Sequence, residues 1–288
     1  MGSRDWRSSE RGHTQWLGQH RLKSPKLAAS LVSRANISPS DLVIEVGAGG
    51  GILTTELARL AAQVLAVELD PALAGILVER FSNHHNVHII AGDFLDLPVP
   101  ARPFRVFGSI PFGSTTRILR HLLDPTTGIL RADLIVERGV AIKRARPARG
   151  KLLNVCWAPW WEFSMGRRIA ARSFDPAPTV DAALLSISKR KKPLMPEHDK
   201  PAFAHFVRST FGASELKSAM APFLSARRFK SLSTELGFPA DAGGPQLDAQ
   251  QWIALYKTAR PGLDPGSTPL ALRQPRADWL QATADPRP

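Results

Sequence analysis

An apolar strand pattern runs directly into a glycine-rich turn in the segment Leu42-Val43-Ile44-Glu45-Val46-Gly47-Ala48-Gly49-Gly50-Gly51. Glycine allows both the backbone angles of a sharp strand-to-helix turn and the close approach of a ligand to the main chain. The dinucleotide fingerprint G-x-G-x-x-G would require glycine at position 52, where the chain has Ile52. The spacing of Gly47, Gly49 and Gly51 therefore predicts a cofactor turn and disfavours a nicotinamide dinucleotide.

The surrounding sequence alternates short β-branched runs with longer amphipathic ones between residues 41 and 188. This alternation is typical of βαβ units around a mostly parallel sheet. Strands are predicted over 42–46, 64–69, 87–91, 105–110 and 134–137, and helices over 52–61, 71–81 and 115–123. An entry helix over 26–35, capped by Ser24, precedes the sheet. The predicted fold class is α/β, with a Rossmann-like sheet domain.

The charged run Lys189-Arg190-Lys191-Lys192-Pro193 ends this alternation. Beyond it, apolar residues recur at helical spacing over 202–211, 215–224, 227–236 and 249–258, which predicts a small all-helical domain. We therefore predict a flexible basic N-terminal tail at 1–17, a sheet domain at 18–192, a helical C-terminal domain at 193–260 and a poorly ordered tail at 261–288.

Composition restricts the partners. A formal net charge of +13 and a pI near 10.7 favour a polyphosphate, above all a nucleic acid, over a small metabolite. A basic surface kept for solubility is the alternative. The single cysteine, Cys156, excludes an internal disulfide and a cysteine-based zinc cluster, and no segment has the roughly 18 apolar residues of a membrane span. We expect a soluble cytoplasmic protein without a metal, in which His84, His85 and His88 are surface residues.

Acidic residues stand at the ends of successive predicted strands. Glu45 lies just before the glycine turn, where it can face the amino group of a methionine moiety. Glu68 ends the second strand, where an acid accepts from both hydroxyls of a ribose, and Asp93 follows the third, where it can accept from an adenine amine. Asp70 is assigned to a helix cap instead. Because ligands of such sheets gather at the carboxyl edge, this pattern predicts a site for S-adenosylmethionine.

The fourth predicted strand ends in Ser109-Ile110-Pro111-Phe112. The Ser109 hydroxyl and the Ile110 carbonyl can accept hydrogen bonds from an adenine exocyclic amine and localise its lone pair. Pro111 stiffens the loop, and Phe112 can stack on a flipped-out base. Together with the cofactor acids, this loop predicts methyl transfer onto an adenine, with Ser109, Ile110, Pro111 and Phe112 as catalytic residues.

These residues resemble the Erm-type ribosomal RNA adenine-N6 methyltransferases, which share their fold with the small-subunit rRNA adenine dimethyltransferases. Gly18-Gln19-His20-Arg21-Leu22 resembles the entry segment of that family, and the segment from Phe174 to Asp181 resembles its Phe-x-Pro-x-Pro-x-Val segment. The resemblance implies cofactor contacts at the following positions: His20, Leu22, Gly47, Glu68, Asp93 and Ser109. It further implies target-base contacts at Ser109, Ile110, Phe112 and Phe174.

The chain departs from the family pattern at Ser109, where the family usually has Asn, and at Arg21, where it usually has Phe. Serine is shorter and offers one acceptor oxygen without an amide. We therefore hypothesise an altered rate or an altered completeness of methylation.

Basic residues surround the end of the fifth predicted strand and precede the Phe174 segment. We expect RNA phosphate contacts from a first set: Arg138, Lys143, Arg144, Arg146, Arg149, Lys151, Arg167, Arg168 and Arg172. A second set lies in or near the helical domain: residues 189–192, Arg227, Arg228 and Lys230. A solvated basic face is the alternative for each single residue. Trp157, Trp160 and Trp161 are predicted to pack in a core or between domains.

We expect a monomeric enzyme that acts on one adenine of large-subunit rRNA before the ribosome is fully assembled. The resemblance implies resistance to macrolide, lincosamide and streptogramin B antibiotics as the consequence. A small-subunit rRNA dimethyltransferase and a non-catalytic nucleic-acid-binding relative are the alternatives. The sequence leaves open the number of methyl groups, the nucleotide chosen, and whether naked RNA or a particle is the substrate.

Overall fold

The computed structural model describes residues 20–124, 126–146 and 150–260. These residues form two compact units: one contains the chain up to Ala145 together with 163–188, and the other contains 146–162 together with 189–260. The predicted tails at 1–17 and 261–288 lie outside the described residues, as do Gly18, Gln19 and Arg149.

The described elements follow one another along the chain as α/β repeats and then as helices. In order they are β1 (Arg21–Leu22), α1 (Pro25–Val32), β2 (Leu42–Val46), α2 (Ile52–Ala58), β3 (Gln63–Glu68), α3 (Pro71–Arg80), β4 (Val87–Ala91), β5 (Phe104–Ser109), α4 (Thr115–Leu122), β6 (Ile129–Glu137), α5 (Arg138–Ala145), α6 (Leu152–Trp157), β7 (Trp161–Ile169), β8 (Phe174–Asp175), β9 (Ala182–Lys189), α7 (Lys200–Thr210), α8 (Leu216–Met220), α9 (Ala226–Glu235) and α10 (Ala249–Ala259).

The main sheet has seven strands in the order β4-β3-β2-β5-β6-β9-β7. Strand β2 is parallel to both β3 and β5, β3 is parallel to β4, β5 is parallel to β6, and β9 is antiparallel to β6. From β2 the chain moves outward through β3 and β4 and then returns to the other side of β2 as β5. This reversal of strand order opens a crevice at the carboxyl ends of β2 and β5, the place where open α/β sheets bind their ligands.

Local capping matches the sequence expectations. The Ser24 side chain accepts from Leu27 N at 3.2 Å at the start of α1. Asp70 caps α3 through bonds from Ala72 N and Leu73 N, and Pro71 occupies the first turn. A proline there loses nothing, because its missing N–H would have no partner within the helix. Both predicted caps are confirmed.

Of the seven strands of this sheet, β2 to β5 follow the predicted pattern, β6 and β7 differ for identifiable reasons, and β9 is not among the predicted strands. The predicted bounds of the second and fourth strands differ from β3 and β5 by one residue at each end, whereas β6 begins at Ile129 rather than 134. The sequence does not predict the start of β6, because the buried Asp133 interrupts the apolar pattern of the strand. Its Oδ2 forms an ion pair with Arg131 Nε at 2.6 Å. Strand β7 lies at the sheet edge, where six of its nine residues are exposed, so it lacks the buried-strand signature.

The second unit is a helical bundle with an aromatic core. Rings of Phe203, Phe206 and Tyr256 meet edge to face at centroid distances of 5.4 and 5.6 Å. Such arrangements favour the positive ring edge against the negative ring face. Trp160 is 2% exposed in the same unit, and its indole N–H donates to Met195 O at 3.0 Å. The predicted core packing of this tryptophan is thereby confirmed.

Residues 146–162 group with the helices, whereas the sequence placed the boundary at 192. The cause lies in α6, whose last five residues are all buried and which packs against α7 and α10. Within α6, Cys156 is 4% exposed, and burial raises the pKa of its thiol to about 11. The cysteine therefore acts as a small buried hydrophobe in this helix. Among the residues that the structure covers, no helix is both long and apolar enough to cross a bilayer.

Candidate cofactor and substrate site

A cavity of about 620 Å³ opens at the carboxyl edge of the parallel strands in the first unit. Its volume falls within the range of typical ligand clefts. The wall is formed by the β1 segment, the turn after β2, the ends of β3 and β4, the loop after β5, and β8. The cavity therefore occupies the crevice that the strand order predicts.

The turn after β2 lies directly against the end of β5. Gly47 has φ +76° and Gly49 has φ +54°, both in the left-handed region that favours glycine. A Cβ atom on Gly47 would stand 2.9 Å from the Ser109 carbonyl oxygen, so only glycine fits there without displacement. The predicted cofactor turn and the predicted acceptor loop thus share one wall.

Glu68 holds a fixed carboxylate in this wall. It is 2% exposed; its Oε2 accepts from Gly49 N at 2.7 Å and its Oε1 accepts from Asp70 N at 3.0 Å. Bonds from two backbone N–H groups set the orientation of this carboxylate. The next residue, Leu69, is 45% exposed and lines the same cavity. Sequence reasoning missed Leu69, although its position directly after the acid was visible.

Asp93 and Phe94 line the cavity after β4. The Asp93 Oδ1 accepts from Leu95 N at 2.9 Å and so caps the short 3₁₀ turn Phe94–Asp96. Phe94 is 6% exposed and meets the ring of His121 edge to face at 5.3 Å. The cap fixes the direction of one carboxylate oxygen and holds the acid at the edge of the cavity.

All four predicted acceptor residues, Ser109 to Phe112, line the cavity. Ile110 is 3% exposed, and its N–H donates to Ile135 O at 3.3 Å, which anchors the loop to β6. Phe112 is half-buried, and its ring lies 5.7 Å from that of His20 with a tilt of 45°. The loop therefore combines a rigid base with a partly open aromatic face.

Strand β8 brings the Phe174 segment to the same cavity. It pairs antiparallel with β1, with Leu22 opposite Phe174 and Arg21 opposite Asp175. His20 Nδ1 lies 2.8 Å from Pro176 O; because a carbonyl only accepts, Nδ1 carries the hydrogen. Phe174 is 1% exposed, so its ring supports the wall from within and gives a base little surface for stacking.

Two predicted cofactor residues, Glu45 and Gly51, are absent from the cavity wall. Glu45 is fully buried in β2, and Thr54 Oγ1 donates to its Oε2 at 2.6 Å, while Oε1 has no partner among the described residues. Burial first, and the nearby Glu68 charge as a smaller cause, raise its pKa to about 8. A Cβ on Gly51 would lie 2.8 Å from Leu77 and Phe81, so this glycine serves the packing of α3.

The predicted RNA-binding residues divide by exposure. Arg138, Lys143, Arg146 and Arg167 are exposed. Arg168 is also exposed but is ion-paired with Asp181. Arg144 is 6% exposed and donates to Thr116 Oγ1 at 3.3 Å, so its predicted place on the surface is wrong. Amphipathic periodicity could have placed it, since α5 turns Arg144 and Ala141 to the same buried side.

Residues 20–124, 126–146 and 150–260 contain no group of three or more potential metal-ligating His, Cys, Asp or Glu side chains. His84 and His85 are exposed, as the sequence predicts for surface residues, whereas His88, in β4, is half-buried.

A glycine turn, two acids at strand ends and a Ser-Ile-Pro-Phe loop meet in one crevice of a Rossmann-like sheet. This combination defines the class as an α/β methyltransferase. Comparison with protein families matches residues 11–235 to the family described as Ribosomal RNA adenine dimethylase. The chain belongs to this family.

Individual relatives agree with this assignment. An rRNA adenine N-6-methyltransferase of Bacillus licheniformis is 30% identical over 244 residues, which cover 84% of this chain and 85% of the relative. The crystal structure of the 23S rRNA methyltransferase ErmE has a TM-score of 0.73 at 28% identity, covering 83% of this chain and 99% of that one. A dimethyladenosine transferase from Plasmodium falciparum has a TM-score of 0.69 at 18% identity, covering 84% and 98%, and shows the shared fold.

Proposed function

We propose that this protein transfers a methyl group from S-adenosylmethionine to the exocyclic N6 of one adenine in 23S rRNA. The observation that carries the proposal is that Glu68 and Phe112 line one cavity, so that the donor half and the acceptor half are continuous. The match to ErmE, at 28% identity over 83% of the chain, supports the large subunit as the substrate. Resistance to macrolide, lincosamide and streptogramin B antibiotics is the proposed consequence.

The cavity suits the cofactor in size and chemistry. Glu68 offers carboxylate oxygens to ribose hydroxyls, and Asp93 offers them to an adenine amine. Gly47 and Gly49 leave the backbone open to close approach, and the exposed Leu69 side chain can cover an apolar ring face. When bound, S-adenosylmethionine supplies an electrophilic methyl group on a positively charged sulfur.

The acceptor loop prepares the adenine amine. Ser109 Oγ and the Ile110 carbonyl accept from the two N6 hydrogens, which localises the nitrogen lone pair and aims it along the cavity. Phe112 stacks on the base, while the adjacent Pro111 limits backbone motion. Geometry carries this step, because a delocalised amine is a weak nucleophile until its lone pair is localised.

The exposed cations hold the RNA backbone. Arg138 and Lys143 on α5 and Arg167 on β7 offer charge to phosphates in the first unit, and Arg146 offers charge in the second. Phosphate contacts of this kind position the RNA without reading its sequence. We further propose that the protein works in the cytoplasm as a monomer, on large-subunit rRNA that is not yet fully assembled.

The test is methylation of 23S and 16S rRNA transcripts by the purified protein with labelled S-adenosylmethionine, followed by mass spectrometry of nuclease fragments. We expect N6-methylated adenine at one position of 23S rRNA. A Glu68→Gln variant should lose the product through weaker cofactor binding, while Glu79→Gln, exposed on α3, should retain it. Label in 16S rRNA alone would overturn the large-subunit assignment, and absence of methylated adenine in both RNAs would overturn the activity.

A further inference from the structure

Arg21 lies beside the glycine turn in the cavity wall. It is half-buried in β1, opposite Asp175 of β8. A Cβ on Gly49 would stand 3.5 Å from Arg21 Cγ and 3.7 Å from its Cδ. The aliphatic stem of the arginine therefore packs near Gly49, and the side chain forms part of the cavity wall.

Among the described residues, three Lys and Arg side chains line the cavity, and they differ in their partners. Arg80 donates to Gly50 O and Thr55 Oγ1, and Lys23 is exposed to solvent. Arg21 is half-buried, and within the described part of the chain no hydrogen bond or ion pair engages its guanidinium, not even from Asp175. A half-buried cation without a counter-charge gains most from an anionic ligand.

Gly49 is next to both the Arg21 stem and the carboxylate of Glu68. The Gly49 N–H donates to Glu68 Oε2 at 2.7 Å, and the Arg21 stem lies near the Cα of the same glycine. The cavity wall thus presents a carboxylate for hydroxyl groups and a basic side chain for an anion, both next to Gly49. A ligand with a ribose near an amino-acid carboxylate matches this arrangement.

We propose that Arg21 binds the α-carboxylate of the methionine moiety of S-adenosylmethionine and so determines specificity for the amino-acid end of the cofactor. The proposal rests on the proposed function, since it uses the same cavity. A planar guanidinium pairs with a carboxylate through two parallel N–H bonds, which gives direction as well as attraction. Its stem packs on the cofactor turn, which favours this carboxylate over a phosphate of the RNA.

The experiment compares two ligands by isothermal titration calorimetry. One is S-adenosylhomocysteine; the other is S-adenosyl-3-thiopropylamine, which keeps the adenosine, the sulfur and the amine but lacks the carboxylate. We expect Arg21→Met to weaken S-adenosylhomocysteine binding roughly 10- to 100-fold and to leave binding of the amine analogue within about twofold. The matched control Arg59→Met removes the same charge from a side chain that is 66% exposed outside the cavity, and should change neither affinity.

Each other outcome contradicts the assignment. Equal weakening of both ligands would mean that Arg21 only shapes the cavity. Unchanged affinities, combined with a smaller salt dependence of RNA binding, would assign Arg21 to an RNA phosphate instead. If the wild-type protein bound neither ligand, the proposed function itself would fail, which is a distinct result.

A conservative variant keeps the test decisive if Arg21→Met does not fold, as judged by thermal unfolding. Arg21→Lys keeps the charge and loses the bidentate fork. Several-fold weaker binding of S-adenosylhomocysteine with unchanged binding of the amine analogue supports the carboxylate contact. Equal weakening of both ligands overturns it.

Discussion

The ring of His20 lies 5.7 Å from the ring of Phe112, tilted by 45°, while the Nδ1 of the same histidine bonds to the Pro176 carbonyl at 2.8 Å. His20 therefore links the segment before β1, the loop after β5 and the loop after β8. Phe112 is the residue proposed to stack on the target base, so this link acts as a positioning device for the acceptor half of the cavity.

We predict that His20→Ala lowers kcat/KM for RNA because Phe112 loses its neighbour. The expected loss is smaller than that of Phe112→Ala, for which loss of stacking is worth about 1–3 kcal/mol. The loss measured in the double variant should be smaller than the sum of the two single losses, because the two rings contact each other. Steady-state methylation kinetics of the four proteins measure this coupling, and strict additivity would show that the two rings act independently.

Gly47 and Gly50 provide a matched pair in one turn. Gly47→Ala places a Cβ 2.9 Å from Ser109 O at φ +76°, whereas a Cβ on Gly50 meets nothing within 4 Å. We expect Gly47→Ala to lower the free energy of unfolding by about 1–3 kcal/mol, and Gly50→Ala to change it by less than about 0.5 kcal/mol. Urea denaturation of both variants checks this difference. Equal effects would contradict the close approach of the turn to β5.

Glu45 should make stability depend on pH. Its pKa is raised from 4.5 to about 8 by burial, so the native state holds a proton that the unfolded chain releases within this window. The free energy of unfolding should therefore fall by about a few kcal/mol as pH rises from about 4.5 to about 8. Below about pH 4.5, Glu45 should not lower the free energy of unfolding. Glu45→Gln removes the titrating proton and should flatten this dependence.

The measurement is urea denaturation of wild type and Glu45→Gln at about pH 5 and about pH 8. Glu79→Gln, exposed on α3, is the control, and its free energy of unfolding should change between the two pH values as much as that of wild type. If Glu45→Gln also showed the wild-type pH dependence of the free energy of unfolding, a protonated carboxyl at Glu45 would be refuted.

Ser109 stands where this family usually has asparagine, and it lines the cavity at the end of β5. An asparagine carbonyl reaches further than a serine hydroxyl toward the N6 amine. We therefore expect Ser109→Asn to raise the rate or the dimethylated fraction of the product, and Ser109→Ala to lower both. Mass spectrometry of the RNA products distinguishes them, and an unchanged product pattern in both variants would exclude a role for this side chain.

Strong local signals made the donor half of the site predictable. The sequence shows where β2, β3 and β4 end, and the glycine turn and the two acids lie at or just after these ends. Glu68 and Asp93 line the cavity, as predicted. Glu45 shares the same strand-end pattern but is buried in β2. The sequence does not show this, because a strand that is buried on both faces has no alternation to reveal which side each residue takes.

Other features depend on tertiary pairing that a single sequence does not encode locally. The contact of Arg21 with the glycine turn arises from the antiparallel pairing of β1 with β8, whose residues lie more than 150 positions apart. Lys23 and Arg80 reach the cavity for a similar reason, from elements whose own patterns only indicate a loop and a helix.

We propose that donor and acceptor meet in one cavity of the sheet domain. The most direct test of this proposal is a crystal structure of the protein with S-adenosylhomocysteine and an adenine-containing RNA fragment. We expect the ribose hydroxyls at Glu68, the sulfur beside the turn at Gly47, and the adenine N6 facing that sulfur with its ring on Phe112. Binding of either ligand outside this cavity, or an adenine that does not reach Phe112, would contradict it.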